Sequence, residues 1–296
     1  MAIPRILHML VPGDNVSPFD VNMAVDAGFE VIVPYTGIGT DRVVAMVQDA
    51  IFSRPPKRFR ETGIFIGGWD VNEAAEMLSQ TRGAMVPPFE VSVFADPNGA
   101  YSTAAAMIAM AEAELITRDG RGFEDRKTVI FGGGPVGMCA AVLVAQENGK
   151  PMLARLTPAK PEREAAATGF FERYGVNIPW VSAQSDDGKR SALESAEVVI
   201  AAAKAGIRII TDDMLQDAKQ MKVAVDVNAV PPSGIEGIGP RDADVALAGG
   251  AVGIGALAVG DIKYKVQSDL LKYMQQAEQA VVLDFPDAFR RARELL

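Results

Sequence analysis

The chain has 296 residues, of which 49% are hydrophobic and 23% charged, so it has material for one or two cored domains and is not a disordered chain. Its net charge of −9, with no basic stripe, argues against a nucleic-acid partner, and the absence of an uncharged apolar stretch of about 18 residues argues against a membrane span. One cysteine and one histidine exclude an intrachain disulfide and a zinc site built on Cys and His, and they fit a reducing cytoplasm.

The opening apolar run is too short for a signal peptide and is broken by Pro12 and Gly13. Residues 5–11 read as a first strand. Residues 17–28 follow as a helix, with Ser17 to cap it, Pro18 in its first turn and Gly28 to end it. Strand patterns at 29–35, 62–68 and 89–97 alternate with helical patterns at 40–52, where Thr40 reads as the cap, at 70–82, and from Ser102 to Ile116. The polar segment TRDGRGFEDRK (117–127) reads as a linker. Beyond it come strands at 127–131, 151–156, 177–183, 196–203, 222–228 and 252–260, and the chain finishes in charged helices. Alternating strands and helices predict parallel sheets built from βαβ units. The expectation is therefore an α/β protein of two domains: 1–118 plus a C-terminal helix at about 275–296, and 119–274 as a Rossmann-type unit.

TVIFGGGPVGMCAA (128–141) carries the sharpest motif. Gly132, Gly134 and Gly137 fill G-x-G-x-x-G, with Pro135 and Val136 between them, after a β-branched run and before an apolar helix. The first glycine makes the turn, the second admits a pyrophosphate to the backbone, and the third lets helix and strand pack closely. NAD-binding members of this fold place an acid about 20 residues further on, to accept from the ribose 2′-hydroxyl. Here that place holds ARLTPAK (154–160): Arg155 lies 18 residues beyond Gly137 and no acid stands beside it. Arg155, the Thr157 hydroxyl and Lys160 suit a 2′-phosphate, so NADP is expected over NAD, with NAD accepted more weakly. Solvated loop charges are the ordinary alternative. Cys139 reads as a buried structural thiol.

Substrate groups should lie beyond other strand ends. FADPNGAYSTAAAM (94–107) gathers Asp96, Asn98, Ser102 and Thr103 there, although Asp-Pro-Asn-Gly is equally a turn followed by a helix cap. Asp20 stands in the first turn of the first helix. Asn228 follows a strand, where a nicotinamide-contacting loop would fall, and Lys263 follows the last predicted strand.

The segments VIFGGGPVGM, FADPNGAYSTAAAM, DVNAVPPSGIEGI and GIGALAVGDIKYK together resemble the NAD(P)-dependent methylene-tetrahydromethanopterin dehydrogenases of methylotrophic bacteria. LHMLVPGDNVSPFDVNMAVDAGFE, QDAIFSRPP and TGIFIGG are similar to the same family, so the resemblance spans essentially the whole chain. It implies two α/β domains with the active site in a cleft between them, a homo-oligomer (trimer or hexamer), and hydride transfer from a methylene-tetrahydropterin to NADP⁺. In that chemistry no proton has to leave, which suits a chain with one histidine. The resemblance points to Asp20 and Asp96 near the pterin, with Phe19, Asn98 and Thr103 placing it. Asn228 is expected to meet the nicotinamide amide or the pterin, and Lys263 joins the site with its role open. Three alternatives stand beside this one: a methylene-tetrahydrofolate dehydrogenase, a shikimate-type enzyme, and a non-catalytic NADP-binding sensor. A folate dehydrogenase that is also a cyclohydrolase, like a shikimate-type enzyme, needs an N-terminal-domain lysine. Lys57, in a loop, is the only lysine before residue 120.

Overall fold

The computed structural model describes residues 3–296; residues 1 and 2, at the head of the first predicted domain, lie outside the described residues. The chain runs β1 (Ile6–Leu10), α1 (Pro18–Asp26), β2 (Val31–Tyr35), α2 (Thr40–Phe52), β3 (Thr62–Ile66), α3 (Val71–Ala84), β4 (Ser92–Ala95), α4 (Ala100–Asp119). It continues β5 (Lys127–Phe131), α5 (Pro135–Gln146), β6 (Lys150–Arg155), α6 (Pro161–Arg173), β7 (Trp180–Ser182), α7 (Asp186–Leu193), β8 (Val198–Ala201), α8 (Asp212–Asp217), β9 (Val223–Asp226). The last elements are β10 (Val245–Ala246), β11 (Val252–Ile254), α9 (Ala256–Gln276), β12 (Val282–Leu283) and α10 (Phe285–Glu294). Two compact units result: residues up to Ser102 with Tyr264–Arg291, and Thr103–Lys263 with Ala292–Leu296. The divisions fall inside α4 and α9 rather than at 118 and 275.

The first unit is built on a five-stranded sheet in the order β12-β4-β3-β1-β2, parallel throughout. Its central strands read as unbroken apolar runs because helices cover both faces of such a sheet. Every residue of β3 is buried, and Phe65 meets Phe94 edge-on at 5.8 Å. Pro34, which cannot donate to a ladder, lies in the edge strand β2. His8, on β1, is half-buried beside the Tyr35 hydroxyl at 3.3 Å. Burial, with help from the nearby Arg54 charge, holds its pKa below the usual histidine value. A depressed histidine stabilises the fold above its unfolded value near 6.5, and that contribution disappears as pH falls through the lower folded value. Urea midpoints should therefore fall between pH 7.5 and 5.5 by less in His8→Asn than in the native chain; equal falls would remove His8 as a cause.

The second unit has a seven-stranded sheet ordered β10-β11-β9-β8-β5-β6-β7, antiparallel only between β10 and β11. Its six parallel strands run third, second, first, fourth, fifth, sixth across the sheet, the doubly wound dinucleotide-binding order, with the reversal between β5 and β8. Val129, Phe131, Val199, Ala224, Ile210 and Leu215 lie in its core.

Four sequence expectations need correction. Segment 117–127 is not a linker: its start belongs to α4 and its end to β5, and the Arg126 side chain between them is fully buried. Arg126 donates to Asp119 at 2.8 Å, to Glu197 at 2.6 Å and to the Gly122 carbonyl at 2.8 Å. Polarity there marks a buried ion-pair corner. Thr40 is the first helical residue of α2 and Gly39, in extended geometry, is its cap position. The strand expected over 252–260 stops at Ile254 and α9 starts at Ala256. Gly255 turns the chain against the Gly239 carbonyl, 2.0 Å from where its Cβ would stand. Lys263 is therefore a helical residue and does not follow a strand. Finally, Val282–Leu283 forms a fifth strand in the first sheet, a two-residue element with no sequence pattern to announce it.

Candidate functional site

In a parallel sheet all carboxyl ends lie on one edge. In the second unit the ends of β5, β6 and β9 bring the glycine loop, Arg155 with Thr157 and Lys160, and Asn228 to that edge. The three motif glycines are required for different reasons. Gly132 has φ +119°, and a Cβ there would stand 2.6 Å from the Ala202 carbonyl oxygen beyond β8. A Cβ on Gly137 would stand 2.0 Å from the Gly132 carbonyl oxygen. A Cβ on Gly134, the residue before α5, would meet nothing within 4 Å. The outer two glycines close the turn and the middle one leaves open space. Pro135 begins α5, whose first backbone N–H groups have no helical acceptors. The Gly133 position is walled by the Trp180 ring, 2.2 Å from where its Cβ would be.

Two buried donors near this edge have no hydrogen-bond partner among the described residues: Arg155 Nε on β6 and Trp180 Nε1 on the adjoining β7. Open space over Gly134, a helix start and unpaired donors suit an anionic dinucleotide. Arg155 is nevertheless not an isolated cation. Its Nη1 lies 2.5 Å from Glu164 Oε1, an acid one helical turn into α6 that the reading of ARLTPAK left out. Thr157 and Lys160 are exposed. Asn228 is buried and engaged in its own loop: its Oδ1 accepts from Gly206 and Val230 N–H, and its Nδ2 donates to the Pro232 carbonyl. Asp226 braces the same loop by accepting from Asn228 N–H at 2.9 Å and Ile235 N–H at 3.1 Å. Burial raises its pKa against the opposing pull of those bonds.

The first unit has a cleft of about 300 Å³ at the carboxyl edge of its own sheet, lined by Asp20, Asn98, Trp69 and Asn15 among others. Asp20 is only 4% exposed and Oδ1 accepts from Gln267 Nε2 at 2.8 Å. Gln267 is itself fully buried; being 247 residues away in the chain, it gave no local signal. Asn98 holds a left-handed conformation, φ 49°, in the turn after β4. Trp69 is 70% exposed at the cleft, an apolar surface that sequence reasoning passed over. Phe19 is 42% exposed beside Asp20, so it is not a core residue.

Asp96 is not among the lining residues. It is fully buried, and it accepts from Ser102 N–H at 3.0 Å and from the Ser102 hydroxyl at 2.6 Å, the turn-and-cap role that its motif also allows. Thr103, in the first turn of α4, and Lys263, on α9, are half-buried and fall in the second unit. No group of three or more metal-ligating side chains occurs among the described residues, and none of their helices is long and apolar enough to cross a membrane.

A doubly wound sheet with G-x-G-x-x-G at its reversal point is the arrangement of a dinucleotide-binding unit, and here it shares one chain with a second α/β unit that holds a near-buried carboxylate in a cleft. A family model described as methylene-tetrahydromethanopterin dehydrogenase, N-terminal, matches residues 18–98. The chain is 43% identical over 292 residues to the NAD(P)-dependent methylenetetrahydromethanopterin dehydrogenase of Methylorubrum extorquens, covering 98% of each. It therefore belongs to the methylene-tetrahydromethanopterin dehydrogenase family. It is also 30% identical over 280 residues, 94% of each chain, to the protein of the same organism named bifunctional protein MdtA. Among solved structures, shikimate 5-dehydrogenase of Listeria monocytogenes is similar in fold, with a TM-score of 0.52, 10% identity, and 99% of this chain and 96% of that one covered. Ornithine carbamoyltransferase of Pyrococcus furiosus is as similar, with a TM-score of 0.54, 10% identity and coverage of 93% and 86%. Fold alone thus does not select the chemistry.

Proposed function

We propose that this chain oxidises 5,10-methylene-tetrahydromethanopterin to the 5,10-methenyl form with NADP⁺, and takes NAD⁺ less readily. The observation that carries the reading is full-length relatedness, 43% identity over 98% of both chains, to a dehydrogenase of that name. Bound NADP⁺ supplies the carbon that accepts the hydride. The C–H bond of the methylene bridge breaks with its electron pair, and the positive charge left behind spreads over the two flanking pterin nitrogens. No proton moves, so no general base is needed. The residues have two tasks, alignment of the reacting groups and stabilisation of a growing cation.

Asp20 is the residue suited to the second task, a carboxylate held by Gln267 in a cleft of pterin size. Trp69 offers a flat face for the pterin ring, and Asn98 a polar contact to its edge. Phe19 extends that apolar wall, and Thr103 orients the substrate. Asp96 is a positioning residue that fixes the turn carrying Asn98 through Ser102. Lys263, a cation, is assigned no step, because it would oppose the developing charge. At the nucleotide end Gly132, Gly134, Pro135, Val136 and Gly137 hold the pyrophosphate, Arg155, Thr157 and Lys160 read the 2′ position, and Asn228 shapes the nicotinamide loop. A cytoplasmic location and a homo-oligomeric state belong to the same reading.

The test is direct: purified protein with NADP⁺ and the methylene form of either tetrahydromethanopterin or tetrahydrofolate, followed by NADPH absorbance. Turnover of the methanopterin substrate is expected, and turnover of neither overturns the reading. Asp20→Asn should lower kcat/KM about 30-fold, roughly 2 kcal/mol of transition-state stabilisation, mostly through kcat. A change confined to KM would show that Asp20 only binds.

A further inference from the structure

We propose that Glu164 sets the balance between NADP⁺ and NAD⁺ by competing with the 2′-phosphate for Arg155; this rests on the dinucleotide reading above. Arg155 ends β6, at the place where NAD-binding members of this fold keep an acid. The chain places a cation there and then returns an acid to it from α6, with Nη1 and Oε1 2.5 Å apart. The pair is partly exposed, 24% and 29% for the two side chains, so it opens at little cost in solvent. The guanidinium keeps a second donor in reserve, since Nε has no partner among the described residues.

A ligand that brings a dianionic phosphate to this edge must take Nη1 from Glu164 and then meets a carboxylate at close range. A ligand with a bare ribose hydroxyl faces no such exchange: the ion pair stays closed, and Glu164 is an acceptor for that hydroxyl. One pair thus favours Arg155 as a phosphate reader and Glu164 as a hydroxyl reader. Neither residue excludes the other nucleotide. Lys160, the residue before α6, adds positive charge on the phosphate side of the balance.

The experiment is titration calorimetry of the whole protein with NADP⁺ and, separately, NAD⁺, in the native chain, in Glu164→Gln, in Arg155→Ala and in the double variant. Glu164→Gln keeps size and removes charge at a half-buried helical position, so it folds; a matching melting temperature verifies this. Its NADP⁺ dissociation constant should fall about fivefold, with the NAD⁺ value unchanged or raised. In the Arg155→Ala background the same substitution should change NADP⁺ affinity clearly less, by about twofold, since only the direct repulsion between Glu164 and the phosphate then remains. An NAD⁺-to-NADP⁺ affinity ratio that stays put or shifts toward NAD⁺ in Glu164→Gln overturns the inference alone. A native chain that binds neither nucleotide overturns the dinucleotide reading with it.

Discussion

Gly137→Ala should weaken NADP⁺ binding by at least about 100-fold, roughly 2.7 kcal/mol or more, and should lower stability by about 2–3 kcal/mol. The added methyl carbon would stand 2.0 Å from the Gly132 carbonyl oxygen, a backbone atom that cannot rotate away. Either α5 moves out or the Gly132 turn opens, and both displace the loop that holds the pyrophosphate. The informative partner is Gly134→Ala. Its φ is −85°, with nothing within 4 Å of the new carbon, so the protein should melt at the native temperature. Binding should still fall, because the methyl fills the space left for the phosphates. Calorimetry and thermal melts on the two variants separate the roles. If Gly137→Ala bound NADP⁺ within about threefold of the native chain, close packing of α5 on β5 would not be what forms the site.

The second large effect is structural. Arg126→Met should destabilise the protein by about 2–4 kcal/mol, read as a shift in the urea midpoint. The side chain is fully buried and satisfies the ends of three segments at once: Asp119 at the close of α4, the Gly122 carbonyl in the connecting turn, and Glu197 before β8. Methionine fills part of the volume and answers none of the acceptors. Asp119 keeps Lys222 at 2.9 Å, and its pKa, held down first by Lys222 and then by Arg126, stays partly lowered in the variant. The Glu197 carboxylate, 19% exposed, loses Arg126, its partner at 2.6 Å. A loss of less than about 1 kcal/mol would mean that the corner is held by its backbone alone.

Much of this architecture could be read from residue order, because the signals are local. Val-Ile-Phe before Gly132, and Val-Val-Ile-Ala at 198–201, are continuous β-branched or apolar runs that only a strand covered on both faces buries. The glycines of 132–137 declare their spacing directly. What escaped reading depends on distance in the chain. Gln267 holds Asp20 across 247 residues, and Glu164 closes on Arg155 over a turn and into a helix. α6 and α7 lie in stretches rich in charged residues, PEREAAATGFFER and DDGKRSAL, with too few apolar positions to announce a helix. Asp96 reads as a ligand or as part of a turn because Asp-Pro-Asn-Gly serves either end, and its fully buried carboxylate, accepting from Ser102 N–H and hydroxyl, is not something the local sequence announces.

Each compact unit is assembled from two separate stretches of chain, and this sets the order in which they are completed during synthesis. All seven strands of the dinucleotide sheet lie within Thr103–Lys263, so that sheet closes without waiting for distant sequence. The first sheet is otherwise. When β4 leaves the ribosome its outer edge has no neighbour, and it acquires one only when Val282–Leu283 arrives, about 190 residues later. Until then Ser92, which later accepts from Val281 N–H and donates to the Met274 carbonyl, stands at an open strand edge. β4, made within the first third of the chain, is thus among the last strands to gain its final neighbour, and the nascent chain carries an unsatisfied sheet margin through most of its translation.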